Sequence, residues 1–184
     1  MHDASAPSPW IVRFASLVAP GARVLDVGAG RGRHARFFTS RGARVLAVDR
    51  DARALASVDG VAGVETRVAD LEGPAWPLDD AMFDAIVVVN YLHRPSFERL
   101  VASLAPDGVL LYETFAAGNE RYGRPSNPAF LLASDELLMR VRGRLTVVAF
   151  EQGLEDDASG RRVVQRVAAV GSGRAWPPLL RTSG

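Results

Sequence analysis

Apolar positions change their period repeatedly along this chain, and each change marks an element. Trp10, Phe14 and Leu17 recur at helical spacing behind Ser8, a capping residue type, and Pro9, which suits a first helical position. Pro20-Gly21 stops the pattern, so a helix is predicted at about 9–19. Strand-like and helix-like segments then alternate. Val24–Val27 is a short apolar strand, Arg33–Arg41 a helix closed by Gly42, and Arg44–Asp49 a second strand. Asp51 can cap a short helix to about Val58, and Val64–Asp70 reads as a third strand. The run Ala85–Asn90 is apolar up to its final residue, as in a strand buried on both faces. Phe97, Leu100, Val101 and Leu104 mark the next helix, with Pro95 near its start. Pro106-Asp107-Gly108 predicts a turn before a fifth strand, Val109–Phe115.

Strands separated by single helices pair in parallel through crossovers, so the first 115 residues predict an α/β, doubly wound sheet. Residues 116–133, with Gly118, Gly123, Pro125 and Pro128, have no period. A loop of this length in a compact domain is usually functional or mobile, and a lid is expected there. Ser134-Asp135-Glu136 opens a further helix that Gly143 ends. Leu145–Leu154 and Arg161–Val170 flank Asp156-Asp157-Ala158-Ser159-Gly160 as a hairpin. One domain over residues 1–170 is expected, with a Gly- and Pro-punctuated tail at 171–184.

Composition narrows the chemistry. The 184 residues contain no cysteine and no lysine, which excludes a disulfide framework, a cysteine metal site, a thiol nucleophile and Schiff-base catalysis. No metal site is expected. The net charge of +1 gives no global field toward nucleic acid or anionic membrane. Arg140, Arg142, Arg144, Arg161, Arg162 and Arg166 make the C-terminal part locally basic, which usually means a solvated face. Arg13 interrupts the apolar stretch 10–19, and no run approaches the ~18 apolar residues of a spanning helix. A soluble cytoplasmic protein without membrane or nucleic-acid partners is expected.

The main chemical signal is Asp26-Val27-Gly28-Ala29-Gly30-Arg31-Gly32, between a strand and a helix. Glycines there permit a sharp turn and close approach of a ligand, and Asp49, at the end of the second strand, can accept both hydroxyls of an adenosine ribose. The dinucleotide fingerprint fits poorly: counted from Gly28 its sixth position is Arg33, and only a count from Gly30 reaches Ala35. Asp26 would repel a pyrophosphate and favour an ammonium group. The ligand is therefore expected to carry an amino-acid end and no phosphate.

This run resembles motif I of the class I S-adenosylmethionine-dependent methyltransferases. Ala69-Asp70-Leu71, Trp76-Pro77-Leu78 with Phe83-Asp84, and Leu104-Ala105-Pro106-Asp107-Gly108-Val109-Leu110 resemble later motifs of that family in the same order, over roughly residues 20–170. Asp107 stands where the family's turn has a glycine. The resemblance implies a mostly parallel seven-stranded sheet with a C-terminal antiparallel hairpin, and S-adenosylmethionine as cofactor. It implies a cofactor site of Asp26, Gly28, Ala29, Gly30, Gly32, Asp49, Arg50, Asp70, Leu71 and Asn90, with Asp70 and the Leu71 amide on the adenine.

The fourth strand ends in Asn90-Tyr91-Leu92-His93, where the family places groups near the transferring methyl. This is not Asn-Pro-Pro-Tyr, the pattern that resembles adenine or glutamine amide methylation. His93 is either a general base or a histidine bonded near a helix start, and Tyr91 either walls the methyl site or packs. Tyr112 and Glu113 at the fifth-strand end are substrate-binding candidates; the alternative for Glu113 is a pair with an arginine of the following loop. Arg121 and Arg124 of the lid suit an anionic acceptor. The pattern of Tyr112-Glu113-Thr114-Phe115 and the loop after it is similar to small bacterial proteins near the tellurite-resistance and thiopurine methyltransferases.

The expected function is methyl transfer to a small-molecule acceptor such as a thiol, a chalcogen oxyanion or a carboxylate. Two alternatives stay open: a non-catalytic protein that binds S-adenosylmethionine or S-adenosylhomocysteine or serves as a partner subunit, and an NAD(P)-binding oxidoreductase. The second is disfavoured because 184 residues leave little room for a separate substrate domain. The sequence leaves the oligomeric state open.

Overall fold

The structure is a computed structural model and describes residues 6–78, 81–157 and 160–180. Seven strands form one sheet: β1 (Arg23–Val27), β2 (Arg44–Asp49), β3 (Val64–Val68), β4 (Phe83–Val89), β5 (Leu104–Phe115), β6 (Leu145–Asp157) and β7 (Gly160–Gly171). Their order is β3-β2-β1-β4-β5-β7-β6. Strands β1 to β5 pair in parallel, and β7 pairs antiparallel with both β5 and β6. This is the class I methyltransferase arrangement, with the direction of winding reversing between β1 and β4. Ligands of doubly wound sheets bind at the carboxyl ends of the strands flanking such a reversal.

Helices α1 (Pro9–Phe14), α2 (Arg33–Thr39) and α3 (Ala52–Leu55) cover one face; Trp10, Phe14, Phe38 and Leu55 pack there with Val24, Val45 and Val87. Helices α4 (Phe97–Ala102) and α5 (Glu136–Val141) cover the other, where Phe97, Leu100, Leu137 and Val141 meet Leu25, Ile86 and Leu110. Alternate residues of β4 from Ala85 to Val89 thus feed opposite cores, which is why that stretch reads as an unbroken apolar run.

Some boundaries differ from the sequence reading. The first helix gives way to a 3-10 turn over Ala15–Leu17. The predicted turn at Pro106-Asp107-Gly108 lies inside β5: Phe83 pairs with Leu104 but Ala85 with Val109, so residues 105–108 bulge from the ladder. The hairpin strands run longer than predicted, and residues 158 and 159 of its expected turn lie outside the described residues.

The 116–133 segment is tied down at both ends. Ala117 N donates to Leu132 O, and the Asn119 side chain accepts from Val163 N of β7 and donates to Pro125 O. Arg94 grips the far end: it donates to the carbonyls of Ala129 and Leu131 and bidentately to Glu136. Burial works to raise the Glu136 pKa, but Arg94, the Ala133 amide and Arg140 together hold it down at about 2. Both ends of the expected lid are thus held to the body, and the stretch between Asn119 and Ala129 lacks such ties among the described residues.

Candidate active site

Asp26 is the one buried polar residue of β1, at 2% exposed. Burial pushes its carboxyl up to about 7, against the Ala35 backbone amide and Arg33, which favour the charged form. Its Oδ2 is buried without a hydrogen-bond partner. Buried polar atoms are nearly always paired, so an orphan carboxylate oxygen two residues before the glycine loop indicates a missing donor.

Beyond it the chain turns through Gly28, Gly30 and Gly32, all in the left-handed region, with φ of +62°, +54° and +70°. A side chain on Gly32 would meet Val58 Cγ1 at 2.3 Å, and one on Gly28 would touch the Tyr91 ring at 3.4 Å. The loop is fixed from the β2 end: Asp49 Oδ2 accepts from Gly30 N at 2.8 Å and Oδ1 from Asp51 N at 2.9 Å. A carboxylate has about four lone-pair sites, so Asp49 retains capacity for ribose hydroxyls. The Ala29 amide is spent on Val48 O and its side chain is buried, so Ala29 shapes the loop.

Two cavities share this loop. One, of about 180 Å³, is lined by Gly28, Asp49, Arg50, Asp70, Asn90 and Tyr91, together with Leu71 and Glu72. The other, of about 610 Å³, is lined by Gly28, Gly30, Arg33, His34, Val89 and Asn90 among others. Gly28 and Asn90 belong to both, so the cavities meet between the ends of β1 and β4. Asn90 is held at φ +58° with its backbone N–H donating to Glu113 O. Asp70 Oδ1 accepts from Glu72 N, which folds the turn after β3 around the smaller cavity.

The structure thus brings the ten expected cofactor residues to the end of β1, the loop after it and the carboxyl ends of β2, β3 and β4. It separates the expected acceptor residues. Tyr112 is 1% exposed, packs on Phe97 and donates its hydroxyl to Tyr91 O. It positions Tyr91 from the core and is corrected as a substrate contact. Glu113 is 1% exposed, lies 2.9 Å from Arg166 Nε of β7 and accepts from Ser8 Oγ. Its partner is thus a strand arginine, not the loop arginine considered from sequence, and it is corrected as a substrate contact too. Arg121 and Arg124 are exposed, with no side-chain hydrogen bond or ion pair among the described residues. Tyr91 lines the smaller cavity; burial raises its hydroxyl pKa above the usual tyrosine value. His93 is half-buried, with Nδ1 2.5 Å from Ser96 Oγ.

Sequence reasoning missed a strap over the site. Ser8 N donates to His34 Nε2 at 3.1 Å, while Arg33 Nη1 lies 3.4 Å from Ala6 O. Burial, aided by Arg33, depresses the His34 pKa to about 3, so this histidine is neutral and accepts from the strap. A capping serine before a helix was the visible signal; its partners, 26 and 105 residues away, were not.

A doubly wound sheet with an acid-glycine loop at its winding reversal and an acid at the next strand end is a nucleoside-binding site for a cationic, amino-acid-bearing ligand. Residues 24–108 match the methyltransferase domain family. The chain is 30% identical over 180 residues to the malonyl-[acyl-carrier protein] O-methyltransferase of Enterobacter lignolyticus, covering 88% of this chain and 71% of that protein. It belongs to the class I S-adenosylmethionine-dependent methyltransferases, and S-adenosylmethionine is its cofactor. A protein-L-isoaspartate O-methyltransferase of Methylorubrum populi is 42% identical over 89 residues, covering 44% of this chain and 41% of that protein. TehB from Haemophilus influenzae shares the fold with a TM-score of 0.76 at 18% identity, over 93% of this chain and 64% of TehB, so the chain spans just under two thirds of that protein. The Burkholderia thailandensis 1,6-didemethyltoxoflavin-N1-methyltransferase superposes with a TM-score of 0.67 at 23% identity, over 93% of this chain and 80% of that one. Among the described residues no three metal-ligating side chains cluster, and no helix is long and apolar enough to cross a membrane.

Proposed function

We propose that this enzyme transfers the methyl group to a small molecule bearing an anionic oxygen, sulfur or heavier chalcogen. The supporting observation is the junction of the two cavities at Gly28 and Asn90, with the orphan Asp26 Oδ2 behind the loop. On this reading Asp26 and the Gly28–Gly32 loop hold the amino-acid end of the cofactor. Asp49 holds the ribose, Arg50 flanks it, and Asp70 and Leu71 hold the adenine. When bound, the cofactor supplies a sulfonium-activated methyl group for in-line displacement. The protein's part is alignment and exclusion of water. Asn90 and Tyr91 wall the junction, and Arg121 and Arg124 present cations from the exposed part of the lid.

A thiolate, carboxylate or chalcogen oxyanion attacks as the anion and needs little proton removal. His93→Ala is then expected to cost less than the ~10²–10⁴ typical of a lost general base. The names of two relatives describe O-methyl transfer, which favours an oxygen nucleophile among these classes.

Calorimetry tests the cofactor half. S-adenosylhomocysteine should bind in the micromolar range and NAD far more weakly. Asp49→Ala should lose about 1.5–3 kcal/mol, roughly ten- to a hundredfold in affinity. Unchanged affinity in Asp49→Ala would remove the ribose assignment.

A further inference from the structure

His93 and Ser96 bracket the 3-10 turn Arg94–Ser96 that leaves β4. His93 Nδ1 lies 2.5 Å from Ser96 Oγ, and that same Oγ lies 2.5 Å from the carbonyl oxygen of Leu71. Ser96 is 4% exposed, so water does not compete for its hydroxyl. A hydroxyl has one proton to donate, and a carbonyl oxygen only accepts. The Ser96 proton is therefore committed to Leu71, and the proton in the His93–Ser96 contact comes from Nδ1. A neutral His93 then carries its lone pair on Nε2, which has no hydrogen-bond partner among the described residues.

We propose that Ser96 is a positioning residue that fixes His93 in the Nδ1–H tautomer and so presents Nε2 as a proton or hydrogen-bond acceptor at the end of β4. An unconstrained neutral imidazole prefers the opposite tautomer, so the arrangement is imposed by the fold. The chain also couples two parts of the site. Leu71, at the turn after β3, lines the smaller cavity, and its carbonyl sets the direction of the serine proton. A shift of the 70–71 turn would release that proton and with it the tautomer.

The nucleophile gains from this in a graded way. A thiol arriving protonated, with an ordinary pKa near 8.5, can hand its proton to Nε2 before attack. A carboxylate or oxyanion already lacks that proton and gains only alignment. The kinetic consequence rests on the proposed role of the β4 end, but the tautomer does not.

The test is a long-range ¹H–¹⁵N correlation on the full chain labelled at histidine nitrogens, at a pH above imidazole titration. The chain has three histidines. His34 also accepts at Nε2, so the His93 signals are assigned by their loss in His93→Gln. The expected result is a protonated Nδ1 and an unprotonated Nε2 at His93. Ser96→Ala should move the ring toward the Nε2–H form, and Ser96→Thr should restore the wild-type pattern. Should Ser96→Ala fail to fold, the wild-type and Ser96→Thr spectra still decide. An unprotonated Nδ1 in the wild type overturns the proposal, as does a wild-type tautomer in folded Ser96→Ala.

Kinetics with a small thiol as acceptor separates the second half. Ser96→Ala and His93→Gln should lower kcat/KM by similar factors, and the double variant should be no worse than His93→Gln. A further loss in the double variant would show that Ser96 acts through packing and overturn its positioning role. Unchanged kcat/KM in both single variants, with the tautomer as expected, would place the fault in the proposed role of the β4 end.

Discussion

At the scale of single residues, Asp26 carries the sharpest consequence. Its folded pKa of about 7 stands above the ordinary 3.8, so the native apo protein binds a proton there that the unfolded chain has released. Between those values its contribution to stability falls as pH rises. His34 works the other way: with a folded value of about 3 against an ordinary 6.5, its contribution is present above 6.5 and lost as pH falls toward 3. An ammonium group at Asp26 Oδ2 favours the ionised carboxylate, so below pH 7 cofactor binding must expel the proton. The affinity for S-adenosylhomocysteine should therefore climb between pH 5 and 7, by up to about tenfold per pH unit, and level off above. Titration calorimetry in buffers of different ionisation heat should show proton release, and Asp26→Asn should flatten the profile. A flat wild-type profile would mean that Asp26 does not meet the charged end of the cofactor.

Asp26 and Asp49 were legible in the sequence because their neighbours along the chain, glycines and strand ends, define their setting. Ser8, Arg94, Ser96 and Arg166 were not. Each acts through a partner made adjacent only by folding, such as Glu113 for Ser8 or Glu136 for Arg94. Glu113 looked like a substrate contact for the same reason: an acid at a strand end is visible, but the strand arginine across the antiparallel pair is not.

At the scale of elements, β4 was easy to read because burial on both faces leaves Ala85–Val89 uniformly apolar. The bulge in β5 was not, because Pro-Asp-Gly chemistry marks a turn equally well when the ladder resumes beyond it. The 116–133 segment looked structureless because its supports are side chains of Asn119 and Arg94 and not a periodic apolar face. Its anchored ends predict two different exchange behaviours. Amides at 131–137 should be protected from hydrogen exchange without ligand, and those at 120–127 should become protected only with cofactor and acceptor present. Arg94→Ala should erase the first protection by freeing the Ala129 and Leu131 carbonyls. Replacing Arg121 and Arg124 together with alanine should weaken acceptor turnover and leave S-adenosylhomocysteine affinity nearly unchanged. Equal loss of both would make the segment a structural support.

At the scale of the whole molecule, the sheet order and the hairpin follow the family, and the charge is nearly balanced at +1. Nucleic-acid affinity is dominated by counterion release from many cation–phosphate contacts, and the C-terminal arginines are largely spent on acids instead. Arg161, Arg162 and Arg166 pair with Asp156, Glu155 and Glu113, and Arg140 with Glu136. Binding of duplex DNA or tRNA should accordingly be weak. The most direct test of the small-acceptor claim offers methyl-labelled S-adenosylmethionine in parallel to thiols, small carboxylates, tellurite, tRNA, duplex DNA and a cell protein extract. The account predicts label in a small-molecule product, abolished or strongly reduced in Asp49→Ala. Label recovered mainly in protein or nucleic acid would contradict it.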